Sequence, residues 1–282
     1  MISLKDVTST GRGLPSRVIV YGPPGSGKTS LAARMPAPIV VQVGEDGLDD
    51  LIDGGGCPGV PHTPRVEDWS ELITLLGSLH STNHPYKTVV VDGLSGCEAI
   101  CQAHVCKEEY GGRWEAPSGQ DSFTAYGKGY GVTATRYWPD LLRVLDLLRT
   151  TKRMGILLLA HSAVKRRRRP DGNDIEAFVP LLHEATLERT TQWADCIALL
   201  NFKTVTTKQD GRTKGVGGQR RVLLTESRDW ALAKSRLNLP ATITLGESAD
   251  EASTVFLQAF RDAKSKSRPK TQPQPETTEE TP

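Results

Sequence analysis

The stretch GPPGSGKT, Gly22–Thr29, decides the fold of this chain. It fits the pattern G-x-x-x-x-G-K-[ST] and lies between a predicted strand, Arg17 to Tyr21, and a predicted helix, Ser26 to Met35. Glycines let backbone N–H groups turn toward phosphate oxygens, and the start of a helix adds partial positive charge. The pattern predicts a nucleotide phosphate site, here called the phosphate loop. Its expected nucleotide-binding residues are Gly22, Pro23, Pro24, Gly25, Ser26, Gly27, Lys28, Thr29 and Ser30.

A magnesium site is predicted beside the phosphate loop. Lys28 has the length and charge to reach the β- and γ-phosphates, and the hydroxyl of Thr29 is suited to ligate Mg²⁺. The run TVVVD, Thr88 to Asp92, predicts a buried strand that ends on a carboxylate. Asp92 would hold Mg²⁺ through its water shell. Thr29 and Asp92 are therefore the predicted metal residues, and ATP and Mg²⁺ are the predicted cofactors.

Hydrolysis also requires a side chain that positions the attacking water. A glutamate directly after the strand-end aspartate would serve, but Gly93 stands at that position. The other candidate is Glu45, which follows the β-branched run Ile39 to Val43 within VQVGEDGLDD. We therefore expect Glu45 to be the catalytic carboxylate, acting together with Lys28.

Apolar strands and amphipathic helices alternate along most of the chain. Tyr137 to Arg149 has helical spacing, and Gly155 to Ala160 predicts a fourth strand. This alternation predicts an α/β fold with a mainly parallel sheet and helices on both faces. Beyond this strand, the runs 193–202 and 220–225 predict two strands without a helix between them. They predict a C-terminal antiparallel hairpin extension of the sheet.

Composition excludes several classes of protein. The chain has 282 residues, and 35 Lys and Arg against 33 Asp and Glu give a net charge of +2, which alone predicts no partner. No apolar run reaches the roughly 18 residues that span a bilayer, so we expect no membrane contact. Five scattered cysteines do not form a disulfide framework, which favours a cytoplasmic location.

These motifs resemble those of the phage RecA/RadA-core P-loop ATPases, the AAA-type ATP-binding proteins of the Sak4-like recombination and single-strand annealing family. The resemblance rests on GPPGSGKT, VGEDGLDD, TVVVDGLSG, AYGKGY, LLLAH and AKSRLNLP. It implies a Mg-dependent, DNA-stimulated ATPase that acts on single-stranded DNA in phage recombination or replication, in a bacterial host cell. It also implies a homo-oligomeric ring or filament, and a single-strand-binding protein as a possible partner.

Three segments are expected along the chain. The short polar start, residues 1–16, is interpreted as an N-terminal arm. Residues 17–263 would form the RecA-like ATPase domain. The segment 264–282 has no apolar residue other than proline, so it predicts a disordered tail.

The resemblance implies further roles for single residues. In RecA-like cores the strand-end glutamate, here Glu45, is followed four positions later by an aspartate, here Asp49, which we assign to nucleotide binding. His161 ends the fourth strand, where such proteins carry a γ-phosphate sensor; a buried structural histidine is the alternative. Lys234 and Arg236 resemble the K-x-R element that enters a neighbouring subunit's site in trans, with an ordinary surface pair as the alternative.

Two basic segments predict contacts with DNA. The run KRRRR, Lys165 to Arg169, follows the fourth strand, at the sheet end where RecA-like cores hold DNA. Segment 203–221 has six cations against one acid, and its glycines predict a mobile loop that would order on a polyanion. Neither segment offers obvious aromatic stacking residues, so contact with the DNA backbone is expected, and a solvated charged loop is the alternative. The predicted DNA-binding residues are Lys165, Arg166, Arg167, Arg168, Arg169, Lys214 and Arg220.

Two other functions fit the same motifs. A P-loop kinase of a small metabolite would use the same phosphate loop, with KRRRR as its lid, although so dense a basic run is unlike a substrate clamp. A nucleotide-gated DNA scaffold or loader with negligible turnover would not need Glu45. An ATPase assay with and without single-stranded DNA distinguishes the recombination ATPase from the kinase.

Overall fold

Nine strands form one mixed sheet in the computed structural model, which describes residues 13–117, 120–168, 172–209 and 212–266. The strands are β1 Arg17–Gly22, β2 Pro38–Gln42, β3 Thr88–Asp92, β4 Gly155–Arg168, β5 Asp174–Pro180, β6 Cys196–Gln209, β7 Arg212–Leu224, β8 Lys234–Ser235 and β9 Thr242–Gly246. Their order is β2-β3-β4-β1-β6-β7-β9, with β5 on β4 and β8 on β6. β1 to β4 and β6 pair in parallel, whereas β5, β7, β8 and β9 pair antiparallel.

Helices cover both faces of this sheet. They are α1 Lys28–Ala32, α2 Leu48–Asp53, α3 Trp69–Ser81, α4 Leu94–Tyr110, α5 Lys128–Val132, α6 Trp138–Thr151, α7 Glu184–Trp193 and α8 Ala249–Lys266. A 3₁₀ turn at Ala125–Gly127 precedes α5, and a π-helical turn at Thr133–Tyr137 joins α5 to α6. Within the described ranges, no helix is long and apolar enough to cross a membrane.

Each parallel strand contributes to two hydrophobic cores. In β3, Val89 and Val91 pack into the core beneath α3, α4 and α6, which includes Trp138. Val90 faces the other side and joins the core beneath α1 and α8, which includes Phe256. Because successive side chains point to opposite faces, a strand buried on both sides is apolar throughout. The two cores and the strand order confirm the predicted α/β fold, a mainly parallel sheet with helices on both faces.

The fourth strand is longer than the sequence predicted. β4 continues past Ala160 to Arg168 and forms an antiparallel hairpin with β5, so the predicted basic loop is wrong as far as Arg168. Backbone pairing satisfies the N–H and C=O groups of this ribbon, and long cationic side chains keep their charge in water. Acidic residues of β5 also lie opposite basic ones, since Arg166 pairs in register with Glu176. Opposite charges across a ribbon stabilise it.

The predicted C-terminal hairpin is present, but its strands are longer than expected. β6 and β7 pair through most of segment 203–221, so the prediction of a loop there is wrong. Strand pairing tolerates the glycines of β7 because an antiparallel partner supplies the backbone hydrogen bonds. The helix α7 has weak apolar periodicity, with only Thr186 and Thr190 buried among its described residues, so the sequence pattern does not predict it.

The predicted ends of the chain are only partly described. Residues 1–12 of the arm and residues 267–282 of the tail lie outside the described residues. The last helix, α8, extends to Lys266 and so passes the expected domain boundary at residue 263.

Candidate nucleotide site

The carboxyl ends of four parallel strands bring most of the predicted site residues to one edge of the sheet. Gly22 at the end of β1 lies opposite His161 of β4. Asp92 at the end of β3 lies opposite Leu159 of β4 and Gln42 of β2. The phosphate loop follows β1 at this edge and continues directly into α1.

The phosphate loop depends on glycine at two positions. A Cβ atom on Gly22 would lie 2.2 Å from the carbonyl oxygen of Leu200 in β6, so the strands could not approach with any other residue. Gly27 has a φ of 94°, a left-handed conformation that other residues adopt at a cost. Between them, the Ser26 hydroxyl is buried and has no hydrogen-bond partner among the described residues. A buried polar atom without a partner fits a loop that receives a polar ligand.

Lys28 lies folded over the phosphate loop. Its Nζ donates hydrogen bonds to the carbonyl oxygens of Gly22 at 3.0 Å and Pro23 at 3.1 Å. Burial lowers the pKa of this amine, while the charges of Asp92 and Glu45 act in the opposite direction. A buried ammonium that is held only by neutral carbonyls would gain from a phosphate anion.

Thr29 and Asp92 meet at the mouth of the loop. The Thr29 hydroxyl donates to the Asp92 carboxylate at 2.7 Å. Burial raises the pKa of Asp92, the hydrogen bond from Thr29 lowers it, and the negative charge of Glu45 raises it further. Hard oxygen donors of this kind suit Mg²⁺, which typically takes one or two protein ligands plus phosphate oxygens and water. The two residues therefore fit the predicted magnesium site. Among the described residues, no group of three His, Cys, Asp or Glu side chains could hold a metal by itself.

Glu45 and His161 contact each other beside this pair. The Nε2 atom of His161 lies 2.7 Å from the Glu45 carboxylate, and both side chains are partly exposed. The ring's other nitrogen, Nδ1, is buried without a partner in the described part of the chain. Gly93 explains why no glutamate follows Asp92, since its φ is 100° and a Cβ atom would lie 2.0 Å from the Val43 carbonyl oxygen. Glu45 thus places a partly exposed carboxylate at this edge, and its role in hydrolysis stays a prediction.

Three predicted site residues lie apart from this cluster. Asp49 is in α2, and its carboxylate bonds to the imidazole of His62 at 2.8 Å. Lys234 and Arg236 lie at the amino end of β6, on the opposite edge of the sheet from the phosphate loop. The Lys234 amine donates to backbone carbonyls at the end of α7, among them that of Ala194 at 2.9 Å. Within one chain these two cations do not reach the nucleotide site, so their role in trans stays a prediction.

Six of the seven predicted DNA-binding residues belong to β4 or β7, the basic strands of the two hairpins. Lys165 donates to the carbonyl oxygen of Leu182 at 2.8 Å, so its amine is partly engaged inside the chain. Arg166 is exposed, and its Nη1 atom lies 3.7 Å from Oδ2 of Asp174. Arg220 is also exposed and donates to Glu247 at 3.1 Å. Arg169 and the side chains of Arg167, Arg168 and Lys214 lie outside what the structure describes.

One residue that no sequence motif indicates also contacts the phosphate loop. Arg221 of β7 donates from Nε to the carbonyl oxygen of Ser26 at 3.0 Å. Its only sequence signal is a place next to Arg220 in a basic segment, which does not distinguish it from its neighbours.

The sequence matches one known protein family. A profile of the AAA domain family matches residues 14–237. The chain belongs to this family. Membership supports a P-loop NTPase that binds and hydrolyses ATP. No curated protein matches the sequence.

Solved structures with a similar fold include two proteins of low sequence identity. One is the RadB recombinase, with a TM-score of 0.47 and 14% identity, over 85% of this chain and 90% of that chain. Another is the flagellar accessory protein FlaH from Methanocaldococcus jannaschii, with a TM-score of 0.39 and 13% identity, over 84% of this chain and 88% of that chain.

Proposed function

We propose that this protein is a Mg-dependent, RecA-like ATPase that acts on single-stranded DNA. The observation that carries the proposal is the cluster formed by Lys28, Thr29, Glu45, Asp92 and His161 at one edge of the sheet. Phosphate binding, metal binding and water activation each have a side chain in this cluster. A nucleotide-gated scaffold without turnover would not need a side chain that activates water.

The phosphate loop would bind the triphosphate of ATP. Lys28 would exchange its bonds to loop carbonyls for the β- and γ-phosphates, and Thr29 with Asp92 would hold Mg²⁺. When bound, the metal ion neutralises charge that develops on the phosphates. These roles need no rearrangement of the sheet, because all three side chains already lie at its edge.

Glu45 would position the attacking water, and His161 would respond to the γ-phosphate. A carboxylate acts as a general base only where water can reach it, and Glu45 is about half exposed, with 45% of its side chain accessible. A γ-phosphate near the imidazole would compete with Glu45 for Nε2 of His161. The contact between the two side chains therefore supports a coupled base and sensor.

β4 supports a link between the nucleotide site and DNA. The strand continues without a break from His161, which contacts Glu45, to the basic residues 165–168 of the first hairpin. A polyanion bound to the outer part of this strand would be only a few residues from the sensor. We propose that this segment, together with Arg220 on the second hairpin, contacts the DNA backbone.

Assembly would complete the site. Lys234 and Arg236 lie at the sheet edge opposite the phosphate loop, where a neighbouring subunit could receive them in trans. A cation that arrives from a neighbour stabilises transition-state charge and makes turnover depend on assembly. The proposed context is phage recombination or replication by annealing or pairing, with a single-strand-binding protein as a possible partner.

The experiment that tests the DNA proposal replaces Arg166, Arg167 and Arg168 with Ala. Affinity for single-stranded DNA should fall about equally for all sequences, and the slope of log affinity against log salt should shrink by roughly 0.7 per lost phosphate contact. ATP hydrolysis without DNA should persist, because these residues lie outside the phosphate loop, whereas stimulation by DNA should fall. Salt titrations of DNA affinity and steady-state ATPase assays measure both effects.

A matched control removes the same amount of charge elsewhere. Arg136, Arg143 and Arg228 are exposed, form ion pairs with nearby acidic side chains and lie outside the strands of both hairpins. Their triple substitution by Ala should leave the salt slope and the DNA stimulation at wild-type values. If both triple variants lost the same DNA affinity, the effect would come from net charge alone. An unchanged salt slope in the Arg166, Arg167 and Arg168 variant would overturn the assignment of these residues to DNA binding.

A further inference from the structure

Arg221 contacts the phosphate loop from the side of the second hairpin. Its guanidinium donates from Nε to the Ser26 carbonyl oxygen at 3.0 Å and from Nη1 to the carbonyl oxygen of Glu247, before α8. The same guanidinium lies 5.6 Å from the ring of Phe202 in β6. One side chain of β7 therefore fixes the phosphate loop to β6 and to the turn between β9 and α8.

The backbone of the hairpin aims Arg221 at the loop. The register between β6 and β7 shifts between Phe202 and Thr204, and the register between β7 and β9 shifts between Arg221 and Val222. Irregularities of this kind bend a strand and turn a side chain away from its regular direction. Both shifts lie at the root of the hairpin, beside the phosphate loop.

The bond to Ser26 determines the orientation of the next amide. In a trans peptide unit the C=O and the N–H point in opposite directions. Because Arg221 holds the Ser26 carbonyl on one side of the loop, the N–H of Gly27 in the same unit points to the other side. Gly27 also has a left-handed φ, and a Cβ atom on it would lie 3.0 Å from Nε of Arg221. The glycine and the arginine together allow one orientation of this amide.

From this geometry we infer that Arg221 is a positioning residue for the triphosphate. It acts through the Ser26–Gly27 peptide and keeps the Gly27 N–H directed at the phosphates. The inference rests on the proposed ATP site and assigns to it a residue outside the phosphate-loop motif. It also predicts that the contribution of Arg221 is the same for every nucleotide, because the loop contacts the phosphates and not the base.

A cavity beside the loop defines the competing role. Arg221 also lines a cavity of about 240 Å³ together with Gly27, Ser30, Leu31, Leu200 and Leu245. If the guanidinium contacted a base in this cavity, its contribution would differ between adenine and guanine nucleotides. The probes that separate the two roles are ATP, GTP and inorganic tripolyphosphate, which has no base.

The test compares Arg221→Ala and Arg221→Lys with the wild type. Replacement by Ala should weaken the binding of all three probes by a similar factor of about ten, as expected for the loss of a hydrogen bond from a charged group. The KM for ATP should rise by the same factor while kcat stays within about two-fold, because the amide contacts the phosphates in ground and transition state alike. Lys keeps the charge, but it lacks the planar fork by which Nε and Nη1 of Arg221 reach the separate carbonyls of Ser26 and Glu247, so its loss should be intermediate.

Controls separate this inference from the proposed function. Arg228→Ala removes an exposed arginine of the following segment, which bonds to Glu226, and should bind all three probes as the wild type does. A wild-type protein that binds neither ATP nor tripolyphosphate would overturn the nucleotide site itself. If both Arg221 variants bind the three probes as tightly as the wild type does, only the role of Arg221 is overturned. A loss of affinity confined to one nucleotide would also overturn that role. Arg221→Lys keeps the test valid if the Ala variant fails to fold.

Discussion

Asp92 and Asp195 are buried aspartates at opposite edges of one sheet, and their surroundings differ. Asp195 precedes β6 and accepts hydrogen bonds from the backbone N–H and the guanidinium of Arg17, and from Arg149 at 3.3 Å. Burial acts to raise the pKa of Asp195, but the hydrogen bonds and charges of these arginines outweigh it and the pKa is lowered. Asp92 has one neutral donor, Thr29, and burial raises its pKa.

The difference shows which edge stabilises the fold and which edge is available for a ligand. At the amino edge, Asp195 forms ion pairs with Arg17 and Arg149, and Arg17 also pairs with Asp146. At the carboxyl edge, Lys28 and Asp92 are buried without full compensation, and Ser26 Oγ lacks a partner among the described atoms. Protein interiors rarely leave polar groups in this state unless a function requires it.

The largest expected effect is at the carboxyl edge, in Glu45→Gln. Removal of the general base should lower kcat for ATP hydrolysis by about 10²- to 10⁴-fold, while the KM for ATP stays close to the wild-type value. Gln retains the shape of the side chain and can still bond to His161. Steady-state kinetics and nucleotide titration measure the split. If Glu45→Gln hydrolysed ATP at the wild-type rate, the general base would be another residue, and the catalytic role of the carboxyl edge would lose its support.

The sequence predicted the carboxyl edge better than the rest of the molecule. A phosphate loop needs particular residues at fixed spacing, so Gly22, Lys28 and Thr29 could be identified in order along the chain. Asp92 and His161 could be placed because apolar strands predict where a parallel sheet ends. The contact between Glu45 and His161, 116 positions apart, follows only from the order of β2, β3 and β4.

Regions with weak local signals were not predicted. The outer parts of β4, β6 and β7 form ribbons whose stability comes from an antiparallel partner, so their basic residues indicated loops. The contact of Arg221 could not be predicted, because the direction of its side chain depends on a shift in register between β7 and β9, which the residue pattern of one β-strand does not reveal. Asp195 was missed for a similar reason, since its partners Arg17 and Arg149 are distant in sequence.

A large loss of stability is expected at the amino edge, in Asp195→Asn. Removal of the carboxylate leaves the partly buried Arg149 without its ion pair and leaves Arg17 with Asp146 as its acidic partner, which should lower the free energy of unfolding by about 3 kcal/mol. Because the pKa of Asp195 is lowered in the folded state, its contribution is present above the unfolded value and is lost as pH falls through the lowered pKa. Urea unfolding at several pH values measures both the loss and its decline in acid.

An exposed aspartate provides the control for this measurement. Asp140 of α6 pairs with Arg143 on the surface, and Asp140→Asn should change stability by less than about 1 kcal/mol. Equal effects of the two substitutions would show that the arginines around Asp195 do not act as a buried network.

The smallest effect, and the one of opposite sign, is expected from Asp92→Asn. Asn can still accept the hydrogen bond from Thr29, but it removes a charge that burial and Glu45 disfavour. At neutral pH the protein without ligand should therefore become more stable, by about 0.5–2 kcal/mol, as for other substitutions that relieve strain at a functional site.

This gain in stability should depend on pH. The pKa of Asp92 is raised in the folded state, so the folded wild type binds a proton more tightly than the unfolded chain. The stability of the wild type relative to Asp92→Asn should therefore fall as pH rises from the unfolded value of 3.8 through the raised pKa, and then stay constant. Addition of Mg²⁺ and ATP should reverse the order, because stabilisation by ligand requires binding and the variant has lost its metal carboxylate. Thermal unfolding over a pH series, with and without Mg²⁺ and ATP, measures both. If Asn destabilised the ligand-free protein as it does at position 195, the two edges would not differ in kind.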